Sequence, residues 1–432
     1  MGDEEMNECA LSNVEEMNQG AMVQRQIEKA EYETVSPHLK NDSVIEFKYV
    51  SEDCFIELNK TEIEVKLKIT KADGEALEAT DKVALINYAI ASLFKDVEVQ
   101  INGKTITEGS SNYAERAILE VLLTYGRDAE KTWLHAGGFS KDTAGKMDKA
   151  DPSAADGNAG LKKERAEYSN ESRVVTLRGK LHEDLFNQPK PLPNKNRLDI
   201  KFTRHDDKYC LMSDAADAAY KIEFQSIVLY IRKLHMSNTV MTSLAGRDVV
   251  IPIDRVVQKV FSVPNGGSSY NQNSLHEGQI PTRIVFGFVA NNAHTGRYKL
   301  NPFNFDHVHV KRVSLFHDGQ LVNTRPIETD FEKGDVMQGY WSLQRATNTR
   351  YTNGGALIEP SDYKLGGYAL WGYDLSPSQC DEQFIDPKRH GKLELEVEFA
   401  KNIPKALSLC VYLQFDGEIK IDSMRNTITL FN

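Results

Sequence analysis

Residues 392–415 read KLELEVEFAKNIPKALSLCVYLQF, and the alternation in this stretch decides the fold class. Leu393, Leu395, Val397 and Phe399 interleave with Lys392, Glu394, Glu396 and Glu398; after a turn at Asn402–Lys405, Leu407, Leu409, Val411, Leu413 and Phe415 alternate again. A period of two sends successive side chains to opposite faces of a strand, so the passage predicts an antiparallel pair with one apolar and one wet face. Leu395, Val397, Phe399, Leu409, Val411 and Leu413 are expected to share a core. Further upstream the same pattern recurs at Phe55–Leu58 and at Ile63, Val65, Leu67 and Ile69. One helix interrupts it. Tyr113, Ala117, Ile118, Val121, Leu122 and Tyr125 share a helical face, with Asn112 and Glu115 suited to N-cap and N3 and Gly126 to the stop.

The chain also repeats itself. Val97, Val99, Asn102, Gly103, Lys104 and Ile106 recur 216 residues later as Val313, Leu315, Asp318, Gly319, Gln320 and Val322. Each set is a strand, an Asn-Gly or Asp-Gly hairpin turn and the start of a second strand. A helix follows each turn, at 113–125 and, shorter, at 335–346. Leu198, Ile200 and Phe202 match Leu395, Val397 and Phe399 at an offset of 197, and Ile227 and Val228 match Cys410 and Val411 at 183. Two β-rich halves predict two sandwiches, for which the eight-stranded jelly roll is the commonest candidate at this size. The expected fold is all-β, two tandem eight-stranded jelly rolls (a double jelly roll) with short helices and long loops. The first roll spans 44–235, a linker 236–248 and the second roll 249–432. Residues 1–43 read as an acidic N-terminal arm with a short helix near Gln24–Tyr32, and residues 137–171, rich in Gly, Ala, Asp, Ser and Lys, as a long surface loop.

A chain of 432 residues is too long for one small module, and 40% hydrophobic with 27% charged residues is ordinary globular usage. Of the net charge of −11, −6 falls in the first 40 residues. That is the wrong sign for an arm that neutralises phosphates, which argues against direct sequence-specific binding of nucleic acid. Cys9, Cys54, Cys210, Cys380 and Cys410 form no CxxC pair and predict reduced thiols rather than a disulfide framework or a zinc site. The start MGDEEMNECA has neither a basic nor an apolar leader segment, and no apolar run of about 18 residues occurs, so neither secretion nor a membrane-spanning segment is expected.

Catalytic signatures fail on particular residues. Ser140–Met147 resembles a phosphate-binding loop, but Ser140 replaces the first glycine and Met147 the magnesium-binding hydroxyl. His182-Glu183 and His276-Glu277 lack the second zinc-binding histidine, with Phe186 and Ile280 in its place. His307 and His309, on one face of a strand expected over Phe305–Val310, with His317 nearby, suit a surface role better than a metal. No enzyme activity, cofactor or metal is expected. Two rivals are a glycan- or protein-binding module using Trp133, Trp341 or Trp371, and a hydrolase with carboxylates in a cleft between the halves.

Longer strings carry a family resemblance. They run in order from Val44-Ile-Glu-Phe47 and Phe55-Ile-Glu-Leu58 through the Val97–Ile106 hairpin, Lys141–Asp148 and Gly160–Lys163. The most specific is Gly179-Lys-Leu181-His182-Glu-Asp184-Leu185-Phe186-Asn187-Gln188, leading into Leu198–Arg204; Tyr373–Leu375, Gly391–Phe399, Phe415-Asp416 and Arg425-Asn426 complete the set. Together with Gly103 and Gly319, these resemble the major capsid proteins of Polinton (Maverick) elements and adintoviruses, a double jelly-roll family. Ser43-Val44 stands where the family often has Gly-Pro, and Pro189–Pro193 is richer in proline than the family pattern. The resemblance implies a structural protein of the virion: homotrimers of hexagonal outline that contact neighbouring capsomers and a minor, penton-type capsid protein, and tile an icosahedral shell around double-stranded DNA. It implies no cofactor, and synthesis in a reducing cytoplasmic or nuclear compartment of the host cell.

Overall fold

The computed structural model describes residues 26–107, 111–244, 247–349, 356–378 and 387–430. The first unit contains β1 (Ile27–Val35), β2 (Val44–Val50), β3 (Phe55–Lys71), β4 (Phe94–Ile101), β5 (Lys104–Thr107), β6 (Val175–Lys180), β7 (Arg197–Arg204) and β8 (Tyr220–Met236). In the second lie β9 (Val249–Val263), β10 (Ser269–Gln279), β11 (Arg283–Ala290), β12 (Val310–His317), β13 (Gln320–Leu321), β14 (Leu370–Asp374), β15 (His390–Phe399) and β16 (Leu407–Ile421). The sheets run β1-β8-β3-β6 and β2-β7-β4-β5 in the first unit, and β9-β16-β11-β14 and β10-β15-β12-β13 in the second, all antiparallel. Adding eight to each label of the first unit produces the second. Each unit is a jelly roll, and the chain is a double one.

The period-two stretches pack as expected. Leu395, Leu409 and Leu413 are wholly buried, as are Val397 and Val411 to within a few per cent, while Glu396 and Glu398 between them are exposed. Phe399 meets Phe288 edge-on, with 5.6 Å between ring centroids. The two hairpin turns are twins: Asn102 and Gly103 have φ 53° and 79°, Asp318 and Gly319 φ 49° and 76°. Two successive left-handed residues make the turn whose twist suits a β-hairpin, and this explains the glycine at each second position.

The register corrects the finer alignment. Leu198 pairs with Ile101 beside the first turn and Leu393 with His317 beside the second, so β7 and β15 align two residues away from the 197 offset, a slip that preserves the faces. The 183 offset between β8 and β16 does not survive. Ile227, Leu229 and Ile231 face the first core, whereas Cys410 lies on the opposite side of β16 from Leu409 and Val411. An odd slip exchanges the faces of a strand.

Three other expectations are overturned. Residues 27–40 are not an arm and hold no helix: β1 pairs with β8 along its length, and Leu39–Lys40 pairs with β2. As an edge strand, β1 carries Glu28, Lys29, Glu31 and Glu33, the kind of charge that keeps edges from pairing with other chains, and this masked its signal. The 137–171 segment is not a surface loop, because Phe139, Met147 and Leu161 are buried and a short helix, Ala159–Glu164, is capped by the Asn158 side chain. His307 and His309 share no strand: Val308 and His309 have φ 38° and 53°, and His307 stacks on Phe331 at 4.4 Å.

The predicted helix is α1 (Tyr113–Thr124), although Asn112 makes no capping bond with its side chain. Its counterpart in the second unit is α2 (Met337–Ala346). The expected linker includes a helical turn, Asn238–Leu244. No helix among the described residues is long and apolar enough to cross a membrane.

Candidate functional site

The two rolls meet along a seam, and the most specific sequence string lies in it. Beyond β6 the chain enters Leu181–Gln188, where Leu181, His182, Asp184, Leu185, Phe186 and Gln188 are buried and only Asn187 is exposed. Gly179, still in β6, faces Ile90, whose Cγ2 would stand 3.0 Å from an added Cβ. Asp184–Phe186 forms a single tight helical turn that aims Glu183 and Asp184 at α1.

Arg116 on α1 receives both. Its Nη1 donates to Glu183 at 2.7 Å, its Nη2 to Asp184 at 2.6 Å and its Nε to Glu120 at 3.0 Å. The other oxygen of Glu120 accepts from His182 Nδ1 at 2.9 Å, and Tyr88 lies 2.7 Å from Nε2. Burial lowers the pKa of His182, so the imidazole is neutral, with the proton on Nδ1 and Nε2 accepting from the Tyr88 hydroxyl. Burial alone would raise Glu120, but Arg116 and His182 hold it well below the usual carboxylate range. Glu183 is pushed well up by burial, with Asp184 adding to the rise against the pull of Arg116.

The cluster is also an inter-unit joint. The backbone N–H of Val256 on β9 donates to Asp184 at 3.1 Å. Gln258, two residues along, is oriented to donate to the Asn112 carbonyl at 2.6 Å and accept from the Arg116 N–H at 3.0 Å. One arginine thus holds three carboxylates from one roll against a strand of the other, a geometry that favours a single docking angle.

A second joint lies in the 137–171 segment. Asp142 is buried among three amide donors, Asn158 at 2.7 Å, Asn301 at 3.1 Å and Asn87 at 3.3 Å, of which Asn301 belongs to the second roll. Burial raises Asp142 to about 6 despite those donors. Tyr368 of the second roll donates to the Asp142 carbonyl, Gly145 N–H to Gly366, and Lys141 pairs with Asp362 at 2.6 Å.

A third joint closes the base. Asn102, in the first hairpin turn, donates to the Arg425 carbonyl at 2.7 Å, and Arg425 reaches Asn194 at 3.0 Å. Asn426 is held by Asp422 through both its backbone and its side chain. Phe415 is buried on β16 under the guanidinium of Arg255, while Asp416 beside it faces outward, half-buried. Gly319, in the second turn, has nothing within 4 Å of the position an added Cβ would take. The motif residues therefore divide among the segment around the Arg116 cluster, the two hairpin turns, β16 and the C-terminal turn.

Sequence reading did not single out Arg116, Glu120, Tyr88 or Asp142. The available sign was an Arg-Glu pair at i, i+4 inside a helix that is otherwise mostly apolar. Between the rolls a cleft of about 520 Å³ is lined by Glu120, Lys180, Asp254, Arg283 and Tyr412 among others. Both oxygens of Glu120 are engaged, so it is not free to act as the acid or base of a hydrolase there. The tryptophans form no common platform. Trp371 is buried, Trp133 packs edge-on against Tyr125 at 4.8 Å, and Trp341 alone is exposed. Cys54, Cys210 and Cys410 are buried free thiols, and Cys9 and Cys380 lie outside the described residues. Among the described residues no group of three or more His, Cys, Asp or Glu is placed to hold a metal ion.

No family model matches the chain. The uncharacterized protein F54H12.2 of Caenorhabditis elegans is 24% identical over 392 residues, covering 87% of this chain and 90% of the relative. Among solved structures, the chain is similar to one in the cryo-EM structure of the Sputnik virophage, with TM-score 0.65 and 13% identity over 95% of this chain and 90% of that one. It is similar to VP54 of PBCV-1, fitted into a reconstruction of Sputnik, with TM-score 0.62 and 11% identity over 96% and 99%. For the mavirus major capsid protein the TM-score is 0.53 and the identity 12% over 92% and 89%. At such identities the likeness is one of fold, and it spans both rolls.

Proposed function

We propose that the chain is a major capsid protein of the Polinton and adintovirus type, a structural and non-enzymatic component of a virion. The observation that carries the proposal is the duplication itself: two rolls of identical strand order, locked at a fixed angle, in a fold shared over nearly its whole length with a viral major capsid protein. Three such chains offer six similar rolls, and a trimer can then fill a hexagonal place in an icosahedral shell around double-stranded DNA. The relative in an animal genome supports the Polinton assignment, because an integrated element would leave such a gene. Partners in this reading are two further copies, neighbouring capsomers and a penton-type minor protein. Of the acidic N-terminal arm expected over residues 1–43, residues 1–25 lie outside the described residues and are the part to which that role is proposed, and the proposed task of the motif residues is the packing of the rolls. Negative-stain electron microscopy and sedimentation of the purified protein test it: three-lobed particles of about three times 48.7 kDa are expected, and a stable monomer at micromolar concentration would overturn it.

A further inference from the structure

Apart from the three joints, the second roll touches the first through residues 291–303. The helical turn Asn291–His294 follows β11, and the chain then lies against residues 205–220 of the first roll. Gly296, with φ 88°, comes so near Tyr209 that an added Cβ would stand 3.1 Å from the Tyr209 Cβ. The Ser213 N–H donates to the Tyr298 carbonyl at 2.8 Å, and Phe303 meets the Tyr209 ring edge-on at 6.2 Å. One pair of titratable groups crosses the seam in the middle of this packing.

That pair is Glu115 of α1 and His294 of the second roll. Glu115 is buried. Its Oε1 accepts from the Tyr209 hydroxyl at 2.9 Å and lies 3.2 Å from His294 Nδ1, while its Oε2 has no hydrogen-bond partner. The imidazole keeps 21% of its side chain exposed, so it can exchange protons with solvent. The other titratable groups facing the pair are Lys95 on β4, His205, Asp206 and Tyr209 on the opposing segment, and Cys410 on β16. Lys95 is exposed. His205 is neutral: its Nδ1 accepts from the Asp206 N–H at 3.0 Å, its ring stacks on Tyr209, and burial lowers its pKa to about 4. His294 is therefore the group whose proton decides whether the buried carboxylate has a cation beside it.

We propose that Glu115 and His294 form a proton-operated latch across the seam. The protonated imidazole holds residues 291–303 against residues 205–220, and the neutral one lets that segment open locally while the three joints keep the rolls docked. Glu115 raises His294 above its usual 6.5 against the effect of burial. Burial alone would raise Glu115 too, but His294 holds it below its usual 4.5. A raised histidine gives stability that is fully present below its unfolded pKa and lost as pH rises through the folded one, so the latch is closed near pH 6 and opens on the alkaline side. Binding of the proton and closure are reciprocal: each unit by which closure raises the His294 midpoint makes closure 10-fold more favourable when the proton is on.

Two measurements on the full chain test it. One is an NMR titration of the histidine Cε1 signals, with His294→Gln identifying the resonance. The other is amide hydrogen exchange of residues 291–303 at pH 6 and pH 9, expressed as protection factors to remove the intrinsic pH dependence of exchange. A His294 midpoint above 6.5 and a loss of protection of at least about 10-fold at pH 9 are expected. Glu115→Gln should return the midpoint to 6.5 or below, and both substitutions should give low protection at both pH values. His294→Lys keeps a cation at pH 9, should keep the segment protected there, and serves if Glu115→Gln folds poorly. A parent midpoint at or below 6.5, or protection that stays level while His294 titrates, overturns the latch. So does a pH dependence that survives in His294→Gln, which would trace it to Asp142 beside Asn301. None of these results bears on the capsid reading, which the oligomeric state tests separately.

Discussion

Replacing Arg116 with methionine keeps most of the side chain's length and removes its charge, which leaves Glu120, Glu183 and Asp184 buried around a neutral group. In the native cluster the three contacts run from 2.6 to 3.0 Å. At an effective dielectric of 20 each close pair is worth about 4 kcal/mol before desolvation, and removing one partner of such a buried group typically costs about 3 to 5 kcal/mol net. For a roll of this size that is a drop of roughly 10 °C in melting temperature. The variant also has a distinctive pH dependence. Burial already raises Glu183 and Asp184 in the parent; without Arg116 they rise further and Glu120 changes from lowered to raised, so the added penalty is greatest at high pH and shrinks as pH falls toward the unfolded range. In the parent, Glu120 has the opposite sign: its pKa is lowered, and its contribution is lost as pH falls below 4.5. Differential scanning calorimetry at pH 7.5 and 5.5, at one fixed protomer concentration, should show Arg116→Met deficient at the higher pH and partly recovered at the lower. A variant that melts within 2 °C of the parent, or with the same deficit at both values, refutes the argument.

Phe399→Ala should cost about 3 to 5 kcal/mol through lost burial and the cavity beside Phe288, read as a lower urea midpoint. Asp142, raised from 3.8 to about 6, adds stability as pH falls through about 6 toward 4 and loses it on the way up, a swing of about 3 kcal/mol. Urea midpoints of Asp142→Asn across that range should be flatter than those of the parent. Gly319→Ala forces a side chain to φ 76° and should cost about 1 to 2 kcal/mol with no change in oligomer mass. Deleting residues 1–25 should leave the melting temperature unchanged, whereas deletion through Lys40 removes β1 and should lower it sharply; equal effects would show that β1 adds nothing to its sheet.

Alternation made the interior strands legible, because β7, β12, β15 and β16 each bury one face against a partner sheet. Both Asn-Gly-type turns announced themselves through backbone chemistry that few other dipeptides satisfy. What escaped was held by something other than apolar periodicity. β1 is stabilised by its ladder with β8 while its side chains stay charged, and the 137–171 segment is anchored by Asp142 and its amides. Glu183 and Asp184 lie more than sixty positions from Arg116, so these two carboxylates could be read in the string at 179–188 but their cation could not. The 183 offset failed on β8, whose register with β3 also shifts between Phe224 and Ser226.

The two rolls are tied at three places along the seam, around Arg116, around Asp142 and beside Asn102, and each tie resists a change in the angle between them. If chains of this kind build the proposed shell, those ties make each one a stiff tile. Any curvature in a surface assembled from such tiles has to be generated at the boundaries between them. The angle at which one tile meets the next, rather than deformation of the tile, would set the radius of the closed object.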